Sequence, residues 1–261
     1  MAPSILIFDS GLGGLTVFRE VKAARPDACF IYVADDALFP YGAHGEAELV
    51  GRVVPLMGTL INEYRPALVV IACNTASTLV LPHLRERYDV PFVGTVPAIK
   101  PACAASQTKR VSVLGTEATV SREYTRALIR DFGNGADVTL VGSAKLAAIA
   151  EAELRGDDAS DDAIAQEIAP CFVDQDGRRT DTIVLACTHF PLLLSRLERL
   201  APWPVSFIDP APAIARRVGE LMGPSTGPET AAAEIIFTSG KPPSEKLAAT
   251  LARFGLAPIS R

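Results

Sequence analysis

Two cysteines sit in near-copies of one local frame. Cys73 lies in Val-Val-Ile-Ala-Cys-Asn-Thr (69–75) and Cys187 in Ile-Val-Leu-Ala-Cys-Thr-His (183–189). In each, an apolar run ends at a thiol, two hydrogen-bonding residues come next, and a helix-like stretch begins. A thiol at a strand-to-helix corner lies beside backbone N–H groups that have no intrahelical partner. Those groups and the helix dipole favour thiolate, so the Cys73 pKa is expected below its usual value of about 8.5. Asn74 and Thr75 are good N-cap residues and also suit a substrate carboxylate. Thr188 and His189 supply the same kind of group beside Cys187. Two equivalent thiols facing one cleft can work on opposite faces of one carbon, as inversion of a stereocentre by proton transfer requires.

The bland alternative for either thiol is a small buried apolar residue, which describes most free cysteines. Repetition of the frame tips the reading toward chemistry. Cys29, Cys103 and Cys171 lack that frame and read as core or surface thiols. His189, beside Cys187, serves as base, hydrogen-bond partner or electrostatic support, or else caps a helix. His44 and His83 have no such neighbour and read as surface residues. Asp9 follows an apolar strand and precedes the glycine-rich stretch Gly11-Leu12-Gly13-Gly14. The glycines permit a tight turn and close backbone approach, but their spacing is not the dinucleotide pattern G-x-G-x-x-G. Asp9 is suited to relaying protons to a thiol or binding an ammonium group. Ser10 either binds a carboxylate or caps the following helix. Pro40-Tyr41-Gly42, within the loop-like segment 35–42, forms a simple turn or walls a small-molecule pocket.

These residues need elements to hold them. Apolar runs rich in Val and Ile occur at Ile5–Phe8, Phe30–Val33, Leu68–Ala72, Phe92–Gly94, Val111–Leu114, Val138–Val141, Ile183–Ala186, Val205–Ile208 and Ile235–Phe237. Without clean alternation, they read as strands buried on both faces. Helical patterns lie between them, at Leu15–Ala24, Glu46–Glu63, Ala76–Arg87, Ser121–Arg130, Lys145–Leu154, Asp161–Phe172 and Leu192–Leu200. Such alternation predicts an α/β fold with mostly parallel sheets flanked by helices. Ligands of such sheets bind outside the carboxyl ends of the strands. Asp9-Ser10, Cys73-Asn74-Thr75, Thr116 with Thr119, and Cys187-Thr188-His189 all fall at such ends. The acidic stretch Asp157–Asp162 reads as a solvated turn before a helix.

The chain has 261 residues, more naturally two domains than one. Boundaries are expected near Val96-Pro97 and Pro202-Trp203-Pro204. A net charge of −5 argues against nucleic acid as a partner, because phosphate binding needs a basic footprint. No apolar stretch approaches the roughly 20 residues that span a bilayer. An odd number of cysteines, without a Cys-x-x-Cys motif or a secretion signal, points to a reducing, cytoplasmic setting. Metal-ligand spacing is absent, and no lysine sits in a recognisable Schiff-base setting, so neither a metal nor another cofactor is expected.

In this order and spacing the chain resembles the glutamate racemase family. The resemblance rests on Asp9-Ser10-Gly11-Leu12-Gly13-Gly14, Asp35 with Pro40-Tyr41-Gly42, Ala72-Cys73-Asn74-Thr75-Ala76, Thr116 with Thr119, Glu151, and Cys187-Thr188-His189-Phe190-Pro191. Thr238-Ser239-Gly240 also resembles the family's C-terminal pattern. The resemblance implies two similar α/β domains, 1–96 plus 207–261 and 97–206, with the active site in the cleft between them. It implies Cys73 as base for the α-proton of D-glutamate and Cys187 for that of L-glutamate. Asp9 would support Cys73; Glu151 and His189 would support Cys187. Substrate contacts would fall on Asp9, Ser10, Pro40, Tyr41, Gly42, Asn74, Thr75, Thr116, Thr119, Thr188 and His189. The product would be D-glutamate for bacterial cell-wall precursors, and a homodimer is compatible with the family. Matching Glu-Ala-x-Leu-x-Gly assigns the supporting carboxylate to Glu151 rather than Glu153. Two stretches depart from the family's pattern: Gly142-Ser143, and Glu117-Ala118 ahead of Thr119. Some relatives carry an N-terminal extension linked to activator control. This chain starts at its first strand, so no such control is expected.

Other readings compete. Racemases of aspartate and other amino acids usually show Gly-Gly-Met-Gly-Pro near the start and Cys-Thr-Glu at the second thiol, against Asp-Ser-Gly-Leu-Gly-Gly and Cys-Thr-His here. A non-catalytic amino-acid-binding protein on the same scaffold would not need two matched thiols. A thiol redox sensor would need the pair to form a disulfide.

Overall fold

Burial of Val, Ile and Leu on both faces of short strands builds two parallel sheets. The computed structural model describes residues 2–225, 227–228 and 232–259. Its strands are β1 (Ser4–Asp9), β2 (Cys29–Ala34), β3 (Leu68–Ile71), β4 (Phe92–Gly94), β5 (Arg110–Thr116), β6 (Asp137–Ser143), β7 (Asp174–Gln175), β8 (Arg178–Arg179), β9 (Thr182–Ala186), β10 (Ser206–Ile208), β11 (Ala233–Phe237) and β12 (Ala257–Pro258). One sheet has the order β12-β11-β2-β1-β3-β4 and the other β10-β9-β5-β6; β7 and β8 form a small separate hairpin. Within both large sheets every pairing is parallel.

The helices are α1 (Leu15–Ala24), α2 (Glu46–Tyr64), α3 (Asn74–Arg87), α4 (Ile99–Ala105), α5 (Glu117–Ser121), α6 (Glu123–Phe132), α7 (Leu146–Arg155), α8 (Asp161–Ile168), α9 (Leu194–Leu200), α10 (Ala211–Met222) and α11 (Glu245–Phe254). The two-residue period of β1 sorts its side chains between two cores. Ile5 and Ile7 pack with α1, α10 and α11, whereas Leu6 and Phe8 pack with α2 and α3. The second sheet does the same. Leu114, Ile183 and Leu185 face α7, α8 and α9, and Val111, Val113 and Val184 face α4 and the Leu128–Ile129 stretch of α6. The expected α/β class with helix-flanked parallel sheets is therefore observed, and the nine expected strands all form.

Several details differ from expectation. The helix expected over Ser121–Arg130 is two helices, parted where Arg122 takes an extended conformation (φ −71°, ψ 141°). Thr116 caps α5, accepting from the Thr119 amide, which starts that helix early. Helices α4, α10 and α11 were not anticipated. Prolines at Pro101, Pro210 and Pro212 disguise the first two, although proline is tolerated in a first helical turn. The turn expected ahead of a helix at Asp157–Asp162 leads into that helix as expected and adds ion pairs. Asp161 opens α8 and accepts from Arg196 and Arg199 of α9, which hold its pKa down at about 2. The expected division at 206/207 falls inside β10, which pairs with β9. The chain rejoins the first sheet's core only with α10, through Ile214 and Val218.

Phe190 comes three residues after the second thiol and is fully buried in the core shared by β9, α7 and α9. Phe190→Ala should lower unfolding stability by about 3–5 kcal/mol in urea denaturation. A loss under about 1 kcal/mol would mean that this core collapses around the gap.

Candidate active site

The carboxyl ends of the two sheets face one another across a cavity of about 30 Å³. From the first sheet it is lined by Ser10, Phe39, Pro40, Tyr41, Gly42, Cys73, Asn74 and Thr75. From the second come Thr116, Ala147, Cys187, Thr188 and His189. Both thiols thus border the same small space. A wider hollow of about 190 Å³ shares Pro40, Gly42, Thr116 and Ala147 with it and forms its mouth.

Cys73 is itself the N-cap of α3. Its sulfur accepts from the Ala76 amide at 3.5 Å, and it lies 3.7 Å from Ser10 Oγ. Asn74 and Thr75, expected as caps, instead form the first helical turn. The expected low pKa is overturned too. Burial and the neighbouring Asp9 carboxylate push the Cys73 thiol up to about 12, against the smaller opposing pull of Ala76 and Ser10. Helix-end amides do act on the sulfur, but desolvation of the thiolate outweighs them. Asp9 is fully buried; its Oδ2 accepts from the amides of Gly11 (3.3 Å) and Gly14 (3.0 Å). Burial raises the Asp9 pKa despite the lowering influence of His189 and these amides. Tyr32 donates its hydroxyl to the Gly11 carbonyl at 3.0 Å, holding the loop over the carboxylate.

Cys187 has a different setting. The chain beyond it forms a 3-10 turn, Phe190–Leu193, and α9 starts only at Leu194, so no helix N-terminus meets this sulfur. Its partner is His189, with Nδ1 at 3.8 Å. His189 Nε2 lies 2.9 Å from Glu151 Oε1 and 3.1 Å from the Gly13 amide. The two contacts use Nε2 differently: bare, it accepts from Gly13; protonated, it donates to Glu151. Burial opposes charge on His189, but Cys187 and Glu151 outweigh it and raise the imidazole pKa. Glu151 is also buried, yet His189 and the Leu12 amide, at 2.5 Å from Oε1, hold its pKa low. Glu153 turns away and pairs with Arg196.

One loop serves both sides. The amides of Gly11 and Gly14 donate to Asp9, whereas those of Leu12 and Gly13 reach across to Glu151 and His189. The approach leaves no room for side chains. A Cβ on Gly11 would come within 2.3 Å of Glu151 Oε1, and one on Gly13 within 2.2 Å of the His189 ring. Thr16, in the first turn of α1, has its hydroxyl 3.0 Å from the Gly13 carbonyl and 3.1 Å from the Thr188 carbonyl.

The mouth is closed by hydroxyls. Thr75 Oγ1 and Thr116 Oγ1 are 3.5 Å apart, and Thr116 in turn meets Thr119 Oγ1 at 2.9 Å. The Pro40-Tyr41-Gly42 stretch is pinned by Asp35, which accepts from Tyr41 (2.6 Å), Arg52 (2.6 Å) and Thr238 (2.5 Å). Asn74, 3 % exposed, has neither Oδ1 nor Nδ2 hydrogen-bonded.

Comparison with known proteins agrees with this arrangement. The family model for Asp/Glu/hydantoin racemases matches residues 16–218. The chain belongs to that racemase family. It is 56% identical to glutamate racemase of Brucella anthropi over 226 residues, covering 86% of this chain and 81% of that protein. It is 55% identical to glutamate racemase of Sinorhizobium medicae over 241 residues, covering 91% and 89%. The Escherichia coli glutamate racemase, crystallised with L-glutamate and the activator UDP-MurNAc-Ala, superposes with a TM-score of 0.89. It is 40% identical and matched over 100% of this chain and 99% of that one. Glutamate racemase of Francisella tularensis, in complex with D-glutamate, has a TM-score of 0.75 at 20% identity over 99% and 98%, a likeness of fold.

In this racemase-family chain the cavity gathers Ser10, Pro40, Tyr41, Gly42, Asn74, Thr75, Thr116, Thr188 and His189 with both cysteines. Asp9, Glu151 and Thr119 stand behind that lining and act on it through hydrogen bonds. Sequence reasoning missed Phe39, Ala147, Thr16, Tyr32 and Arg52. Phe39 adjoins a segment already singled out, but nothing in the sequence marks the other four, which matter by where the fold brings them.

A scarce thiolate at Cys73 has a measurable sign. Its iodoacetamide alkylation, followed by peptide mass spectrometry, should accelerate about tenfold per pH unit from about pH 7 to 10, without levelling. A plateau below about pH 9 would show that burial does not control this sulfur.

Proposed function

We propose that this protein interconverts L- and D-glutamate by proton transfer between two thiols, without a cofactor. The observation that carries the reading is a single cavity bordered by two buried cysteines, each with its own supporting carboxylate. The named activity of the Brucella and Sinorhizobium relatives, and the L-glutamate bound in the Escherichia coli structure, support glutamate as substrate.

In this reading one sulfur is thiolate and the other thiol at the start of each turnover. From L-glutamate, the Cys187 thiolate takes the α-proton, and the Cα–H electron pair moves into the carboxylate. The Cys73 thiol then gives its proton to the opposite face, leaving Cys73 as thiolate. D-glutamate runs the same steps in reverse. Asp9 supports Cys73, while Glu151 and His189 support Cys187. The α-carbon is a far weaker acid than a thiol, so the high pKa of Cys73 helps: its thiolate, once formed, is a stronger base. The enolate-like charge that develops needs donors in a dry site. Asn74 is suited to the zwitterion, because its unused Nδ2 can donate to a carboxylate and its unused Oδ1 can accept from an ammonium group. Leaving both atoms bare costs about 1–3 kcal/mol, which substrate would relieve. Ser10, Tyr41, Gly42, Thr75, Thr116 and Thr188 complete the contacts, with Pro40 walling the pocket and Thr119 acting through Thr116. Among the described residues no lysine lines the cavity.

The product fits a role in bacterial cell-wall synthesis in the cytoplasm. Among the described residues no helix is long and apolar enough to cross a membrane. The two sheets would be the bases of two domains, the segment from 97 through β10 being inserted between 1–96 and the chain from α10 onward, and a homodimer is compatible with this scheme.

Chiral chromatography of purified protein with L-glutamate and no added cofactor should yield D-glutamate, and L-aspartate should react far more slowly. In heavy water, deuterium should enter the product enantiomer but hardly the recovered substrate at early times. Equal early labelling of both pools would point to one shared base. Cys73→Ala and Cys187→Ala should each reduce racemisation by about 10³-fold or more while the fold persists by circular dichroism. A fully active Cys187→Ala variant would sink the two-thiol scheme.

A further inference from the structure

We propose that Thr16 is a positioning residue for the second base. Its hydroxyl ties the Cys187-Thr188-His189 corner to the glycine loop of the opposite sheet. The inference rests on the two-thiol reading above and deepens it. Thr16 is 2 % exposed. Its hydroxyl oxygen is 3.0 Å from the Gly13 carbonyl and 3.1 Å from the Thr188 carbonyl, so the two acceptors share one proton. The Cys187 corner lacks the helix N-terminus that orders Cys73, since it leads into a 3-10 turn. It therefore depends on ties from elsewhere. Three of them come from residues 12–16, across the cleft: Leu12 N–H to Glu151, Gly13 N–H to His189 and Thr16 Oγ1 to the Thr188 carbonyl. Thr16 supplies the side-chain tie of the three, so substitution can remove it while the backbone stays. The Cys73 sulfur has its hydrogen-bond partners in its own helix and in Ser10.

This asymmetry can be read out. The equilibrium constant of racemisation is one, so any variant must lower kcat/KM equally in the two directions. The isotope effects need not move together. Misplacing Cys187 slows the step in which it exchanges the α-proton. With α-deuterated L-glutamate that step becomes more fully rate-limiting and the isotope effect on kcat/KM rises. With α-deuterated D-glutamate, abstraction by Cys73 becomes more readily reversed, and the effect falls toward the equilibrium isotope effect for moving deuterium from carbon to sulfur.

The experiment compares wild type, Thr16→Val and Thr16→Ser, each checked by circular dichroism. Thr16→Val keeps the shape and removes the donor. It should lower kcat/KM about tenfold, as expected for loss of one positioning hydrogen bond, with the isotope effects diverging as described. Thr16→Ser keeps the hydroxyl and should restore both values. An active wild type whose isotope effects are unchanged, or shifted equally, by Thr16→Val would overturn the inference alone. So would a Thr16→Ser variant that behaves like Thr16→Val. A wild type that moves no α-proton of glutamate would overturn the functional reading, and this inference with it.

Discussion

Two buried carboxylates, Asp9 and Glu151, must find hydrogen-bond donors away from water, and the loop between β1 and α1 supplies them. Its four successive amides divide between the two acids: the outer pair goes to Asp9 and the inner pair to Glu151 and the adjacent imidazole. An unpaired charge at such depth is severely destabilising, so the loop's path leaves little freedom. The glycines are a consequence, because side chains at Gly11 and Gly13 would occupy the space of the groups being held. The loop's amides therefore set the electrostatic surroundings of both sulfurs, and no sequence identity between the two cysteine frames is needed for them to face one cavity.

The two thiols look alike in sequence and differ in physics. Cys73 caps a helix next to a carboxylate whose pKa is raised, in a setting where desolvation dominates. Cys187 has an imidazole–carboxylate pair and no helix end. A catalyst that must stabilise similar transition states from two mirror-image substrates is thus built from unlike halves. The cleft itself is nearly filled. A buried water takes up about 10–15 Å³, so a cavity of about 30 Å³ has room for only a few waters.

Much of this was legible in the chain. Runs such as Leu68–Ile71 and Ile183–Ala186 announced buried parallel strands, and the rule that ligands sit at strand carboxyl ends collected Asp9, Cys73, Thr116 and Cys187 at one place. The assignment of Glu151 over Glu153 depended on resemblance; the structure sets Glu151 against His189 and Glu153 against Arg196. The sign of the Cys73 shift was misread, because a sequence displays helix starts but not the depth at which they lie. Arg52 and Thr16 were invisible for a related reason: their partners, Asp35 and Thr188, lie 17 and 172 residues away. Helix α11 was overlooked although its punctuation was present, with Ser244 capping Leu247 and Gly255 in the left-handed region at its end.

Asp35 carries a consequence for how the molecule comes into being. Its carboxylate, which steadies the Tyr41 segment, also accepts from Thr238, and the neighbouring Asp36 accepts from Ser239, both just past the last long strand. A chain emerging from the ribosome presents its amino-terminal half first. Both sulfurs are therefore synthesised, and their strands available for pairing, well before the residues that secure one wall of the pocket exist. The brace that Thr238 gives Asp35 is therefore a late event in biosynthesis, and a chain terminated shortly before Thr238 would hold both cysteines and still lack it.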